Sequence, residues 1–154
     1  AARMLVSADA LWERGFGVVF PELEGEDAFD ELGETLDLIE SLAPAIVIPG
    51  HGAVFTDVDA SIAFARARQN GFLANPATHT RHAAKVLLKF KLLEVQRLEL
   101  AAFAAWARST PYFHIMFERH FPGLDFAGWI DELVTDLVRS GAAAIDDGVI
   151  RNVG

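Results

Sequence analysis

Residues 45–49, Ala-Ile-Val-Ile-Pro, are wholly apolar and rich in β-branched side chains, and they run straight into Gly50-His51-Gly52. A short run of this kind is the pattern of a strand covered on both faces, where no position has to face water. The turn that ends it sets an imidazole between two glycines, which let the backbone bend tightly and approach neighbours that a Cβ would push away. Upstream lies an amphipathic helix: Phe29, Leu32, Leu36, Ile39 and Ala43 recur at helical spacing, with Asp30, Glu31, Glu34, Asp37 and Glu40 off that stripe. Asp27 is placed to cap it, acids crowd its first turns where the dipole favours them, and Pro44 stops it. Residues 3–8, Arg-Met-Leu-Val-Ser-Ala, read as a strand running into Asp9, followed by a loop around Gly15 and Gly17. Gly-Val-Val-Phe at 17–20 ends at Pro21, and 22–27 is acidic and turn-like. Strand, helix, strand in this order points to an α/β layer architecture.

Beyond His51, Thr56 or Asp57 is placed to cap a second helix running to about Leu73 through Ile62, Phe64, Ala65 and Phe72. Asn75-Pro76-Ala77-Thr78 is the best linker signal in the chain, because the residue before proline resists helix. The expected division is therefore a first domain over 1–74 and a second over 76–154. The second is mainly helical: Thr80 capping 81–95, then helices over about 97–108, 111–120 and 126–140, ended by Gly141. The tail 142–153 reads as a β-hairpin around Asp146-Asp147-Gly148.

Charge divides along the same line. Residues 1–60 carry two arginines against thirteen carboxylates, a net −11, whereas 61–154 carry a net +2, within an overall −9. An acidic chain is a poor non-specific ligand for nucleic acid, whose phosphates demand clustered cations. Twelve Phe, three Trp and 52% hydrophobic residues exclude a disordered chain. No apolar run approaches membrane-spanning length, and no export signal is visible. Cysteine is absent, which removes disulfides and thiolate metal ligands and is compatible with a cytoplasmic location.

Asp9 closes the first strand and His51 follows the second, and strand ends on one edge of a sheet point their side chains into one crevice. Carboxylate and imidazole are the ligand types of a hydrolytic zinc or iron site, and a carboxylate can bridge two ions. On Leu5-Val-Ser-Ala-Asp-Ala-Leu11 and Ile46-Val-Ile-Pro-Gly-His-Gly52, in this order and separated by the helix of leucines and acids, the chain resembles the metallo-β-lactamase superfamily, glyoxalase II-like members included. The resemblance implies the downstream part of an αββα sandwich in which Asp9 bridges two metals, zinc by default, and His51 binds the second. It implies a metal-bound hydroxide attacking an ester or thioester, since the acidic first part would repel polyanionic substrates. The superfamily's His-x-His-x-Asp-His cluster would lie upstream of Asp9 and is not present; the other histidines, His79, His82, His114 and His120, are all downstream. No complete catalytic set is therefore expected in this chain, which by itself should bind no stoichiometric zinc and be inactive, the remaining ligands belonging to the intact parent protein.

From His79-Thr-Arg-His-Ala-Ala-Lys-Val-Leu-Leu-Lys-Phe-Lys-Leu-Leu-Glu94 through the 142–153 hairpin, the second part resembles the winged-helix-like domain that follows some superfamily catalytic domains, where it frames the substrate pocket or joins subunits. This leaves a homodimer open. Arg81, Lys85 and Lys89 share one helical face; they read first as a solvated surface and second as an anion site for a phosphate or CoA-like group. Trp12 is either a substrate wall over the metal crevice or simple packing. His79 and His82 read as solvated polarity at a helix start rather than metal ligands, and Tyr112, Phe113, Phe117 and Phe121 as core. Two other functions stay open: an RNA nuclease of the same superfamily, with the basic helix gripping its substrate, and a non-catalytic dimerisation module.

Overall fold

The structure, a computed structural model, describes residues 3–154. It is mixed α/β and mainly helical, with small sheets and a C-terminal hairpin, and it divides into two compact units, 1–75 and 76–154. No helix among the described residues is long and apolar enough to cross a membrane.

The first unit opens with β1 (Met4–Ala8), followed by α1 (Phe20–Glu24), α2 (Ala28–Leu42), β2 (Ile46–Pro49) and α3 (Val58–Ala74). β1 and β2 pair in parallel, Leu5 opposite Val47 and Val6 opposite Ile48, with an irregularity before Ala8 meets Pro49. Parallel pairing requires a crossover, and the α2 segment supplies it. Phe55 returns along β2, exchanging both backbone hydrogen bonds with Val47. The core gathers the apolar stripe of α2 (Phe29, Leu36, Ile39) with Val47, Phe55 and, from α3, Ile62 and Phe72. The expectation that 45–49 is covered on both faces is corrected. Val47 is fully buried, but Ile46 and Ile48 are only half-buried, and on β1 Met4 and Val6 are exposed. One face of this pair lies against the core; the apolar residues of the other are not enclosed by the described residues.

Two local expectations also change. The acidic stretch from residue 22 is not simply a turn, because α1 forms with Pro21 in its first turn and closes on left-handed Gly25. Asp27 holds the N-cap position of α2 but makes no side-chain cap bond. Glu22 instead reaches across from α1, and its Oε2 accepts the amide of Phe29 at 3.1 Å. For α3 the cap is Asp57, whose carboxylate accepts from the Ala60 amide.

The second unit runs α4 (Pro76–Val95), β3 (Arg97–Glu99), α5 (Leu100–Ser109), α6 (Pro111–His120), α7 (Phe126–Arg139), β4 (Ala143–Asp146) and β5 (Val149–Asn152). The four-residue linker shrinks to Asn75 alone: Pro76 is the first residue of α4, a position where its missing N–H is no loss. Thr80 is thus no cap. It is buried within the helix, and its hydroxyl donates to the Pro76 carbonyl one turn back. Arg97–Glu99 is a strand rather than the start of a helix, and the antiparallel sheet has the order β3-β5-β4. Asp147 and Gly148 both take positive φ (45° and 77°), as a two-residue hairpin turn of the tight right-twisting kind requires. Leu88, Phe103, Phe113, Ile130, Leu133 and Ile150 are fully buried and bring every helix of the unit to one core.

Candidate metal centre

β1 and β2 end at the same edge because they are parallel and in register, so the residues after them are neighbours although 42 positions separate Asp9 from His51. The carboxyl ends of parallel strands are where open α/β sheets place their ligands. At β1 the chain turns at once. Ala8 adopts φ 47°, the Ala10 amide donates to Ser7 O at 3.0 Å, and the buried Ser7 hydroxyl donates to Leu11 O at 2.6 Å. This turn lifts Asp9 out of the strand, and its backbone carbonyl accepts the Gly17 amide at 2.8 Å.

Two glycines then make room. A Cβ on Gly50 would sit 2.8 Å from Asp9 Oδ1, and one on Gly17 would sit 2.9 Å from Asp9 Cβ. Both lie below any ordinary non-bonded separation, so the sequence admits no larger residue at either position without displacing Asp9. Gly50 also donates to Ala8 O at 2.7 Å, closing the sheet edge beneath the carboxylate, and Gly52 takes φ 95° on the far side of His51.

Trp12 joins the pair. Its indole Nε1–H donates to Asp9 Oδ1 at 3.2 Å, and its ring lies 5.2 Å from the His51 ring, centroid to centroid, tilted by 47°. Asp9 and His51 are both exposed, and Trp12 is half-buried. Asp9, Trp12 and His51, named from the sequence as metal and substrate residues, are thus brought together at one strand edge. A cleft of about 310 Å³ adjoins Asp9, lined by Ala10, Phe16, Val18, Val19 and Leu32, with Glu31 and Thr35 at its rim.

A carboxylate and an imidazole that each contact Trp12, with backbone too close to Asp9 for a Cβ, are of the types that serve a zinc-type ion as two of its ligands. They do not close a coordination sphere. Among the described residues no group of three or more His, Asp or Glu side chains is placed to hold a metal.

The basic residues named from the sequence lie in the second unit and are engaged there. Arg81 bonds Asp136 (Nε, 3.1 Å) and Glu132 (Nη1, 3.2 Å), and Lys85 lies 3.7 Å from Asp136. Lys89 donates to Ala142 O, Val153 O and Asn152 Oδ1. The face is therefore ion-paired and partly buried rather than simply solvated. His79 is 2% exposed, so it is not the solvated cap residue expected, and His82 is half-buried. His114 instead sets Nε2 2.7 Å from Arg108 O, with its ring against Phe126.

Sequence reasoning passed over Arg68 and read Gly17 only as a loop residue. Arg68, on α3, lies over the rings of Phe16 and Phe72, and a Cβ on Gly15 would meet its Cδ at 3.1 Å. Burial pushes its guanidinium below the ordinary arginine value. The Arg68–Phe72 spacing of four was the available signal, but it is common on any helix. No protein-family model matches the chain, and no curated protein does.

Proposed function

We propose that this chain is the downstream part of a metallo-β-lactamase-fold hydrolase, its second unit a winged-helix-like domain, and that the intact protein cleaves an ester or thioester. The observation that carries this reading is the meeting of Asp9, Trp12 and His51 at the carboxyl ends of two parallel strands. Zinc, when bound, supplies Lewis acidity and makes water acidic enough to act as a nucleophile near neutral pH. Asp9 and His51 would be two of the residues that hold the metal, and further ligands would come from outside this pair. The chain's own residues orient those two donors and line the approach.

The cleft beside Asp9 supports an uncharged acyl group. Ala10, Phe16, Val18, Val19 and Leu32 give it apolar wall, and the two carboxylates that line it, Asp9 and Glu31, oppose an anionic one. The order helix, strand, three helices and a hairpin that pairs with β3 supports the winged-helix-like reading of the second unit. The RNA-cleaving alternative draws no support from the Arg81–Lys85–Lys89 face, whose cations already serve Asp136, Glu132 and the C-terminal backbone.

The test is metal content and thioester hydrolysis of the intact protein against its Asp9→Ala and His51→Ala variants. Each variant should lose bound zinc and at least about 100-fold in activity, the upper range for partners one shell further out. Two variants as active and as zinc-loaded as the parent would overturn the proposal.

A further inference from the structure

We infer that Trp12 is a positioning residue for this centre, a clamp that fixes Asp9 through its indole N–H and His51 through its ring. The inference rests on Asp9 and His51 being metal ligands. Trp12 touches both but offers a metal no electron pair, because an indole nitrogen only donates. It can act only through the two side chains it holds.

The clamp is itself anchored. The Trp12 amide donates to Gly15 O at 2.7 Å, which closes the turn 12–15, and Gly15 has the φ of 116° that such a closure needs and an L-residue resists. The backbone that carries the indole is therefore held independently of the two ligands. From there Nε1 reaches Oδ1 of Asp9, leaving Oδ2 and the remaining lone pair of Oδ1 for an ion. The ring meanwhile restricts the swing of the His51 imidazole at 5.2 Å.

Exposure is what makes the contact consequential. Asp9 and His51 both face solvent, where a free carboxylate and imidazole would populate several rotamers. Ordering them at the moment of binding would cost affinity, and ordering them beforehand removes that cost. Phenylalanine would offer the face without the donor and glutamine the donor without the face. Tryptophan supplies both from one residue.

The experiment is Co²⁺ binding to the intact protein and to its Trp12→Phe and Asp9→Ala variants, followed by the visible absorption of the bound ion. Trp12→Phe keeps an aromatic ring at this position and removes the donor to Asp9. It should weaken Co²⁺ binding about 10- to 100-fold, the range for groups that orient a ligand, and shift the visible band. A second measurement leaves Trp12 in place: its indole N–H resonance should move on zinc addition and on Asp9→Ala.

Unchanged affinity and spectrum in Trp12→Phe, with binding abolished by Asp9→Ala, would overturn the clamp and leave the ligand assignment standing. A parent that binds no Co²⁺, or an Asp9→Ala variant that binds as well as the parent, would remove the ligand assignment and the clamp with it.

Discussion

Replacing Gly50 by alanine perturbs the centre with a single carbon. The new Cβ would lie 2.8 Å from Asp9 Oδ1, 3.0 Å from the Ala8 carbonyl carbon and 3.2 Å from its oxygen. Two of these three obstacles are backbone. The Gly50 amide also donates to that same Ala8 oxygen at 2.7 Å, so the strands cannot part without losing a hydrogen bond of the sheet edge. The carboxylate is more mobile, but moving it breaks the Trp12 contact. Gly50 does not have positive φ, so relief of backbone strain does not enter. Over-packing of this kind costs about 1–3 kcal/mol. That corresponds to about 5- to 150-fold in the opening equilibrium. Gly71→Ala is the matched control: it lies in α3 of the same unit, with nothing within 4 Å of its added Cβ, and should stabilise by about 0.5–1 kcal/mol. Amide hydrogen exchange over 28–42 and 58–74 reads both. Exchange in Gly50→Ala as slow as in the parent would refute the close approach on which the centre's geometry rests.

Lys89→Met should destabilise the second unit by about 1.5–3 kcal/mol, because it removes a charged donor from the carbonyls of Ala142 and Val153 and from Asn152. Faster amide exchange across 143–152 would report it, and an unchanged hairpin would contradict it. His120 is held below the ordinary imidazole value, by burial first and the Arg119 charge second. A depressed value means the unfolded chain binds the proton more readily, so stability is full above about pH 6.5 and falls as pH drops through the lowered folded value. His120→Gln should flatten that acid-side loss in urea midpoints measured between pH 5 and 8, and a loss as steep as the parent's would exclude His120 as its source.

What was legible in the sequence is what local chemistry dictates. The leucine stripe of α2, the β-branched run of β2, the Asp57 cap and the Asp147-Gly148 turn each carry their cause within a few residues, and each element forms where that cause lies. What was not legible depends on distant partners. Arg97–Glu99 is a strand because β5 pairs with it; its three residues hold no strand pattern of their own. Glu22 displaces Asp27 as the side-chain cap of α2 only because α1 folds back to offer it. Thr80 looked like a cap because local rules favour threonine there, but Pro76 already starts the helix one turn earlier. The same limit holds at the centre. Spacing brings Trp12 near Asp9, but only the parallel register of β1 with β2 brings His51 to the same edge, against Trp12.

The centre also differs in kind from a stabilising polar contact. Asp9 and His51 are exposed, so any mutual attraction is screened by water and adds little to folding. Yet the chain holds them at structural expense. Ala8 is kept at φ 47°, a left-handed conformation that costs an L-residue about 1–2 kcal/mol. Gly17 and Gly50 forgo side chains where any Cβ would collide with Asp9, and the Ser7 hydroxyl is committed to the carbonyl of Leu11 to keep the turn closed. The same turn also delivers Leu11 and Phe16 to the core beside Val47, Leu36 and Ile62. Left-handed backbone and close approach around two exposed ligand-type side chains fit the proposed reading, a site ordered before its ligand arrives. Under the proposed function the turn after β1 would matter as much as the glycine-flanked histidine after β2: His51 would supply a donor, and the backbone around Ala8 and Trp12 would decide where the Asp9 carboxylate stands.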